Sequence, residues 1–77
     1  MTDTAKLQGK IKECGYTLNT LAKAINLSQT GLFNKIHNHR EFVVSEIQKI
    51  STILLLTEQE VQSIFFAKDV ELNSTKK

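Results

Sequence analysis

Residues 17–36, TLNTLAKAINLSQTGLFNKI, decide the fold of this chain. Thr17 carries a hydroxyl that can cap a helix start, and Leu18, Leu21, Ala22 and Ile25 follow at the three- and four-residue steps of one helical face. Asn26 comes next, and Asn tolerates the left-handed backbone that closes a helix. Leu27 then supplies an apolar turn residue. Ser28 caps a second helix whose apolar pair, Leu32 and Ile36, again sits four apart. Ala22 lies five positions before Leu27, where the two helices approach and a small side chain is needed. The apolar seam of the second helix is narrow, and its other side carries Thr30, Asn34 and His37 at helical spacing with Gln29 near the free end. Those are hydrogen-bonding groups suited to the edges of bases.

Length and composition exclude several classes of function. Seventy-seven residues, 40% hydrophobic and 23% charged with no Pro or Trp, describe one small folded helical domain. A core of that size leaves little room for the deep cleft of an enzyme, and no carboxylate pair, Ser-His-Asp arrangement or Gly-rich phosphate loop is present. No run approaches membrane-spanning length, and MTDTAKLQGK is too polar for a signal peptide, so a cytoplasmic location is expected. The single cysteine, Cys14, extends the spacing of Leu7 and Ile11 and reads as a small core residue rather than a disulfide partner. His37 and His39 are too few for a metal site and read as solvated or phosphate-facing; no cofactor or small-molecule substrate is implied.

Charge is unevenly spread. Residues 1–40 carry six bases and two acids, a net +4, whereas residues 41–77 carry four bases and six acids, a net −2. Between Cys14 and Arg40 there is no acid at all. A segment that approaches a phosphate backbone would have this pattern.

Outside the central stretch, the first helix is expected to start near Thr4 as its cap, after a frayed Met1 to Ala5, and to stop at Gly15. Gly9 inside that helix costs about 1 kcal/mol relative to Ala, with close packing against a neighbour as one reason to keep it. Beyond Ile36 a polar loop, HNHREF, contains Asn38 as a second residue suited to positive φ. Phe42 with Val43 or Val44 is expected to re-enter the core, and Ser45 is the candidate cap of a fourth helix with Ile47, Ile50, Ile53 and Leu54 inward. Thr57 and Glu60 form a capping box that opens a fifth helix, with Val61, Ile64 and Phe65 inward. Strand alternation and internal repeats are absent. The expected architecture is an all-α, five-helix domain over residues 1–67, followed by a flexible tail at 68–77 in which Val70 and Leu72 are available for contacts in an oligomer.

LAKAINLSQTGLFNKI resembles the helix-turn-helix of the lambda-Cro and lambda-repressor-like superfamily. The likeness continues through NKIHNHREFVVSEIQKISTILLLTEQEV, which is similar to the segment after the motif in small phage Cro-like regulators, and covers roughly Leu7 to Phe66. The all-helical pattern is nearer to repressor-type domains than to the lambda Cro protein, whose C-terminal part forms strands. The resemblance implies a DNA-binding transcriptional regulator of a phage or prophage genetic switch, with helix 28–36 in the major groove. On that placement Gln29, Thr30, Phe33 and Asn34 reach base edges, and Phe33 either meets a thymine methyl or packs against the scaffold. Gly31 reads as tolerated by a helix held through tertiary contacts, rather than as an opening for close backbone approach.

Phosphate contacts are expected from Thr17, Asn19 and Ser28 with helix-start amides, and from Lys35, Asn38, His39 and Arg40 beyond the second helix. Related domains often have Gln where this chain has Leu18, so one anchoring contact of the family is missing. Double-stranded operator DNA is the implied partner. A homodimer on two half-sites would supply specificity, with Phe66 and the run Leu54 to Leu56 serving either as dimer contacts or as core. A second reading keeps the fold but makes the chain an antirepressor that binds a partner repressor protein.

Overall fold

A computed structural model of the chain describes residues 1–67. Five α-helices follow one another: α1 (Thr4–Glu13), α2 (Leu18–Ala24), α3 (Gln29–Ile36), α4 (Val44–Ile53) and α5 (Glu58–Phe65), with no strand among the described residues. The expected all-α, five-helix architecture is therefore the observed one. The tail at 68–77, with Val70 and Leu72, lies outside the described residues.

Each of the first four helices closes by the same device. Gly15 (φ 83°), Asn26 (φ 65°), Asn38 (φ 65°) and Leu55 (φ 55°) take the left-handed conformation just past α1, α2, α3 and α4. In each case the next amide bonds back to a carbonyl five residues earlier: Tyr16 to Ile11 (2.9 Å), Leu27 to Ala22 (2.8 Å), His39 to Asn34 (2.8 Å) and Leu56 to Ser51 (2.9 Å). Carbonyls that the helix end would leave orphaned are thereby satisfied. Asn26, Asn38 and Gly15 were expected at these turns. Leu55 was not, because leucine has no intrinsic advantage at positive φ and its side chain is left 83% exposed.

The helix starts divide into expected and corrected ones. Thr17 caps α2 by accepting from the amide of Thr20, Ser28 caps α3 by accepting from that of Gly31, and Thr57 caps α5 by accepting from that of Glu60. Thr4 does not cap α1: the Asp3 carboxylate accepts from the amide of Lys6, and the Thr4 hydroxyl instead donates to the carbonyl of Ile36 at 2.7 Å. Ser45 does not cap α4 either. Val43 occupies the cap position without an oxygen to offer, and the Glu46 carboxylate reaches back to accept from the Val43 amide at 3.0 Å. Val43 and Val44 are consequently exposed, and only Phe42 turns inward, its ring set edge-on against Phe65 at 5.2 Å.

Leu7 and Ile11 of α1, Leu21, Ala22 and Ile25 of the α2 segment, Leu32 and Ile36 of α3, Ile47, Ile50 and Leu54 from α4 and its end, and Ile64 and Phe65 of α5 form one buried cluster. Tyr16, Leu18, Leu27, Ile53, Leu56 and Val61 close over it half-buried. Cys14 is not part of it: the side chain is exposed, and its thiol donates to the Leu54 carbonyl at 3.6 Å. A cysteine at the helix end has turned past the buried stripe. Gly9 has no neighbour within 4 Å of where a Cβ would stand, so close packing is not the reason for it.

The first residues are tied down rather than frayed. The amide of Asp3 donates to the Ile64 carbonyl, the Met1 carbonyl accepts from the amide of Ala67, and Thr2 is buried. Asn38 grips Thr2 at two points, its Oδ1 accepting from the Thr2 amide at 2.8 Å and its Nδ2 donating to the Thr2 carbonyl at 2.9 Å. A polar sequence reads as fraying only while its backbone partners are unknown.

Candidate nucleic-acid interface

The outward side of α3 is where the described surface concentrates uncharged hydrogen-bonding groups. Leu32 and Ile36 bury one side of the helix, and their packing turns Gln29, Thr30, Phe33 and Asn34 away from the core: Gln29 and Thr30 are exposed, Phe33 is 44% exposed and Asn34 is half-buried. The fold thus brings all four expected base-contacting residues to the surface on one short helix. Gly31 sits at the third helical position, where an added Cβ would meet the Ser28 hydroxyl at 3.0 Å, tighter than ordinary van der Waals contact. Its bare Cα makes room for the helix's own cap, which corrects the expectation of simple tolerance.

Phe33 and His37, one turn apart, stack with ring centroids 4.2 Å apart and planes tilted by 35°. The His37 Nε2 lies 3.4 Å from Nε2 of Gln8 on α1. These rings border a surface groove of about 440 Å³ whose other walls include Lys12, Tyr16 and Leu18. Gln8 and Lys12 were not singled out from the sequence; that both rise on the side of α1 facing α3 depends on how the two helices cross. Another hollow, about 640 Å³, lies between the start of α1 and α5, away from α3.

The residues expected at phosphates separate into two groups. Thr17, Asn19, Ser28, His39 and Arg40 are exposed around the ends of α2 and α3. The Thr17 and Ser28 hydroxyl oxygens already accept from capping amides. His39 and Arg40 are held by their own amides, both donating to the Asn34 carbonyl, which fixes the loop after α3 against the helix end.

Lys35, half-buried, and Asn38, exposed, have side chains already engaged within the chain. The Lys35 ammonium donates to both carboxylate oxygens of Glu46, at 2.6 and 2.7 Å, and the two side chains are only 14% and 12% exposed. Burial pushes the Glu46 carboxyl up, but the bonds from Lys35 and the Val43 amide outweigh it and hold the group below the ordinary value of 4.5. Asn38 spends its amide on Thr2. Both side chains of that expected set thus have partners inside the chain, Glu46 for Lys35 and Thr2 for Asn38.

Lys10 is likewise engaged, 2.7 Å from Glu60 and 3.8 Å from Glu13. Its partner Glu60 raises the Lys10 ammonium above 10.5, while the Lys10 bond, followed by the Thr57 amide, lowers Glu60. Lys6, Lys12, Lys23 and Arg40 are exposed and form no ion pair among the described residues. Among those residues there is also no cluster of three His, Cys, Asp or Glu side chains that would hold a metal, and no helix long and apolar enough to cross a membrane.

Comparison with known families places a profile match across residues 1–68, which spans all five helices. The chain belongs to the family described as Protein of unknown function (DUF739). No curated protein matches it. The DUF739 match includes α3, the loop through Arg40 and every anchor described above, so the candidate surface is part of the family's extent rather than an addition to it.

Proposed function

We propose that this DUF739 chain is a sequence-specific DNA-binding transcriptional regulator, a Cro-like repressor that lays α3 in the major groove of operator DNA. The observation that carries the reading is the exposed polar side of α3, set opposite a fully buried Leu32 and Ile36 seam on a helix of two turns. Gln29 and Asn34 have the amide groups that can bond an adenine edge in two places; Thr30 and Phe33 supply a hydroxyl and an apolar ring. Thr17, Asn19, Ser28, His39 and Arg40 flank them as phosphate contacts, and the exposed Lys12 joins that set.

The phage or prophage setting and the cytoplasm of a bacterial host rest on the sequence resemblance. A module this small reads few base pairs, so two copies on adjacent half-sites supply useful specificity. The reading assigns no catalytic step, cofactor or small-molecule substrate.

Selection of duplexes from a randomised pool, followed by gel shift on the winners, tests this. The wild-type chain should enrich one motif, and the double substitution Gln29→Ala, Asn34→Ala should change which bases are enriched. Lys12→Ala or Arg40→Ala should weaken binding to all duplexes and flatten the slope of log affinity against log salt by roughly 1 each. An unenriched pool, or the same motif from the double variant, would sink the reading.

A second reading, an antirepressor that acts by binding a partner repressor, is favoured by one feature: with Lys35 turned to Glu46, the outward side of α3 has no base and a 44% exposed Phe33. Gel shifts with a repressor added would then show loss of the repressor's own complex.

A further inference from the structure

Three polar anchors converge on the end of α3 and the turn after it, two from the N-terminal stretch Thr2 to Thr4 and one from α4. Lys35 is tied to Glu46 of α4 at 2.6 and 2.7 Å, the Ile36 carbonyl accepts from the Thr4 hydroxyl of α1 at 2.7 Å, and Asn38 grips the backbone of Thr2 at 2.8 and 2.9 Å. Among the described residues, the side-chain hydrogen bond at the first turn, which carries Gln29 and Thr30, is the local cap from Ser28, with none to another helix. Apolar packing of Leu32 and Ile36 resists separation of α3 from the body but is non-directional, and a two-turn helix can rotate or slide on a smooth seam. Hydrogen bonds and ion pairs with fixed donors and acceptors remove that freedom. Glu46 serves twice, since the carboxylate that holds Lys35 also accepts from the Val43 amide and so starts α4.

We infer that Glu46, Thr4 and Asn38 are positioning residues for DNA recognition: they lock the end of α3 against the N-terminal stretch and α4 so that its opposite end meets base edges in one pose. This rests on the proposed function, and it assigns a specificity role to residues that touch no base or phosphate. Base-edge discrimination requires side chains placed to within about 0.5 Å, whereas contact with a uniform phosphate backbone tolerates more. Loosening the anchors should therefore cost specific binding more than non-specific binding.

The experiment measures Glu46→Gln, Thr4→Val and Asn38→Gly. The last keeps the positive φ accessible while removing the grip on Thr2. Affinity is taken for the duplex the wild-type chain selects and for a scrambled duplex, over a range of salt, at a temperature where circular dichroism shows each variant folded. Each variant should lose about tenfold on the selected duplex, the scale of one base-edge contact, with less than about twofold on the scrambled one and an unchanged salt slope. Lys35→Met, which removes the same pair from the other side and leaves the Val43 amide its carboxylate, should lose the same ratio as Glu46→Gln.

Equal losses on both duplexes, or a slope flattened by about one phosphate, would overturn the inference. Gln29→Ala, Asn34→Ala runs alongside. If it alters base preference while the anchor variants leave the ratio intact, the positioning role fails and the DNA reading stands. If neither set changes the ratio, both fall.

Discussion

The segment from Cys14 to Arg40 and the segment from Glu41 to Ala67 differ in charge, and the structure gives that difference two meanings. In the first there is no acid; the second carries Glu41, Glu46, Glu58 and Glu60. Two acids of the second are paired internally, Glu46 with Lys35 of the first and Glu60 with Lys10 of α1. Where the first faces outward, Lys23 and Arg40 stand exposed, as does Lys12 of α1 just before it. Charge segregation along a sequence is therefore part internal pairing and part external field, and only the external part is available to a phosphate backbone.

The largest expected effect comes from breaking the internal pair that is mostly buried. Lys35→Met leaves the Glu46 carboxylate half-satisfied in a site 12% exposed and should lower the free energy of unfolding by about 2–3 kcal/mol, read from urea denaturation at neutral pH. Acid sharpens the test. In the wild-type chain Glu46 lies below 4.5, so its contribution is full above that value and is lost as pH falls through the lower folded value. In Lys35→Met the burial that pushes Glu46 up acts with less opposition. The gap between wild type and variant should close as pH drops from 6 towards 3, and a constant gap would refute the pairing.

The second comparison is between helix closures. The turns after α1, α2 and α3 use Gly15, Asn26 and Asn38 at positive φ, and the turn after α4 uses Leu55. Leu55→Asn places at that turn the residue type found at φ 65° elsewhere in the chain, and it removes a side chain that is 83% exposed. Stability should rise by about 0.5 kcal/mol, measured as a higher urea midpoint with unchanged slope. A lower midpoint would mean that the Leu55 side chain contributes more than its exposure suggests.

The smallest effect belongs to the surface pair. Lys10 is raised above 10.5 by Glu60, so its contribution is complete below that value and lost as pH rises through the folded one; Glu60 is lowered, so its part disappears in acid. Between these limits the melting temperature should be flat with pH. Lys10→Ala should matter little at about 1 M salt, where the screening length is near 3 Å, and a salt-independent loss would show that the lysine's methylene stem, not its charge, is what counts.

Much of the fold was legible from local chemistry. Thr17, Ser28 and Thr57 are residues whose hydroxyl answers a helix-start amide wherever the helix begins, and Gly15, Asn26 and Asn38 are residues for which positive φ is accessible. The misread positions had partners far along the chain. Thr4 has the right side chain for a cap, but its partner is Ile36; the partners of Asn38 and Lys35, Thr2 and Glu46, were equally out of local view. Cys14 continued a periodic stripe on paper, yet the helix ended before it could face inward.

The sequence by itself determined that this chain is an all-helical domain of five short helices with the third offering amides, a hydroxyl and an aromatic ring outward, because periodicity, caps and left-handed turns act over three to five residues. Only the tertiary structure decided which polar groups remain to meet something outside. Each buried or paired group must be matched by a donor or acceptor at a fixed distance, and here those partners lie 11 to 36 residues apart. That matching tied the side chains of Lys35, Asn38 and Thr4 to partners within the chain, and it left those of Gln29, Thr30 and Arg40 exposed without such a tie among the described residues.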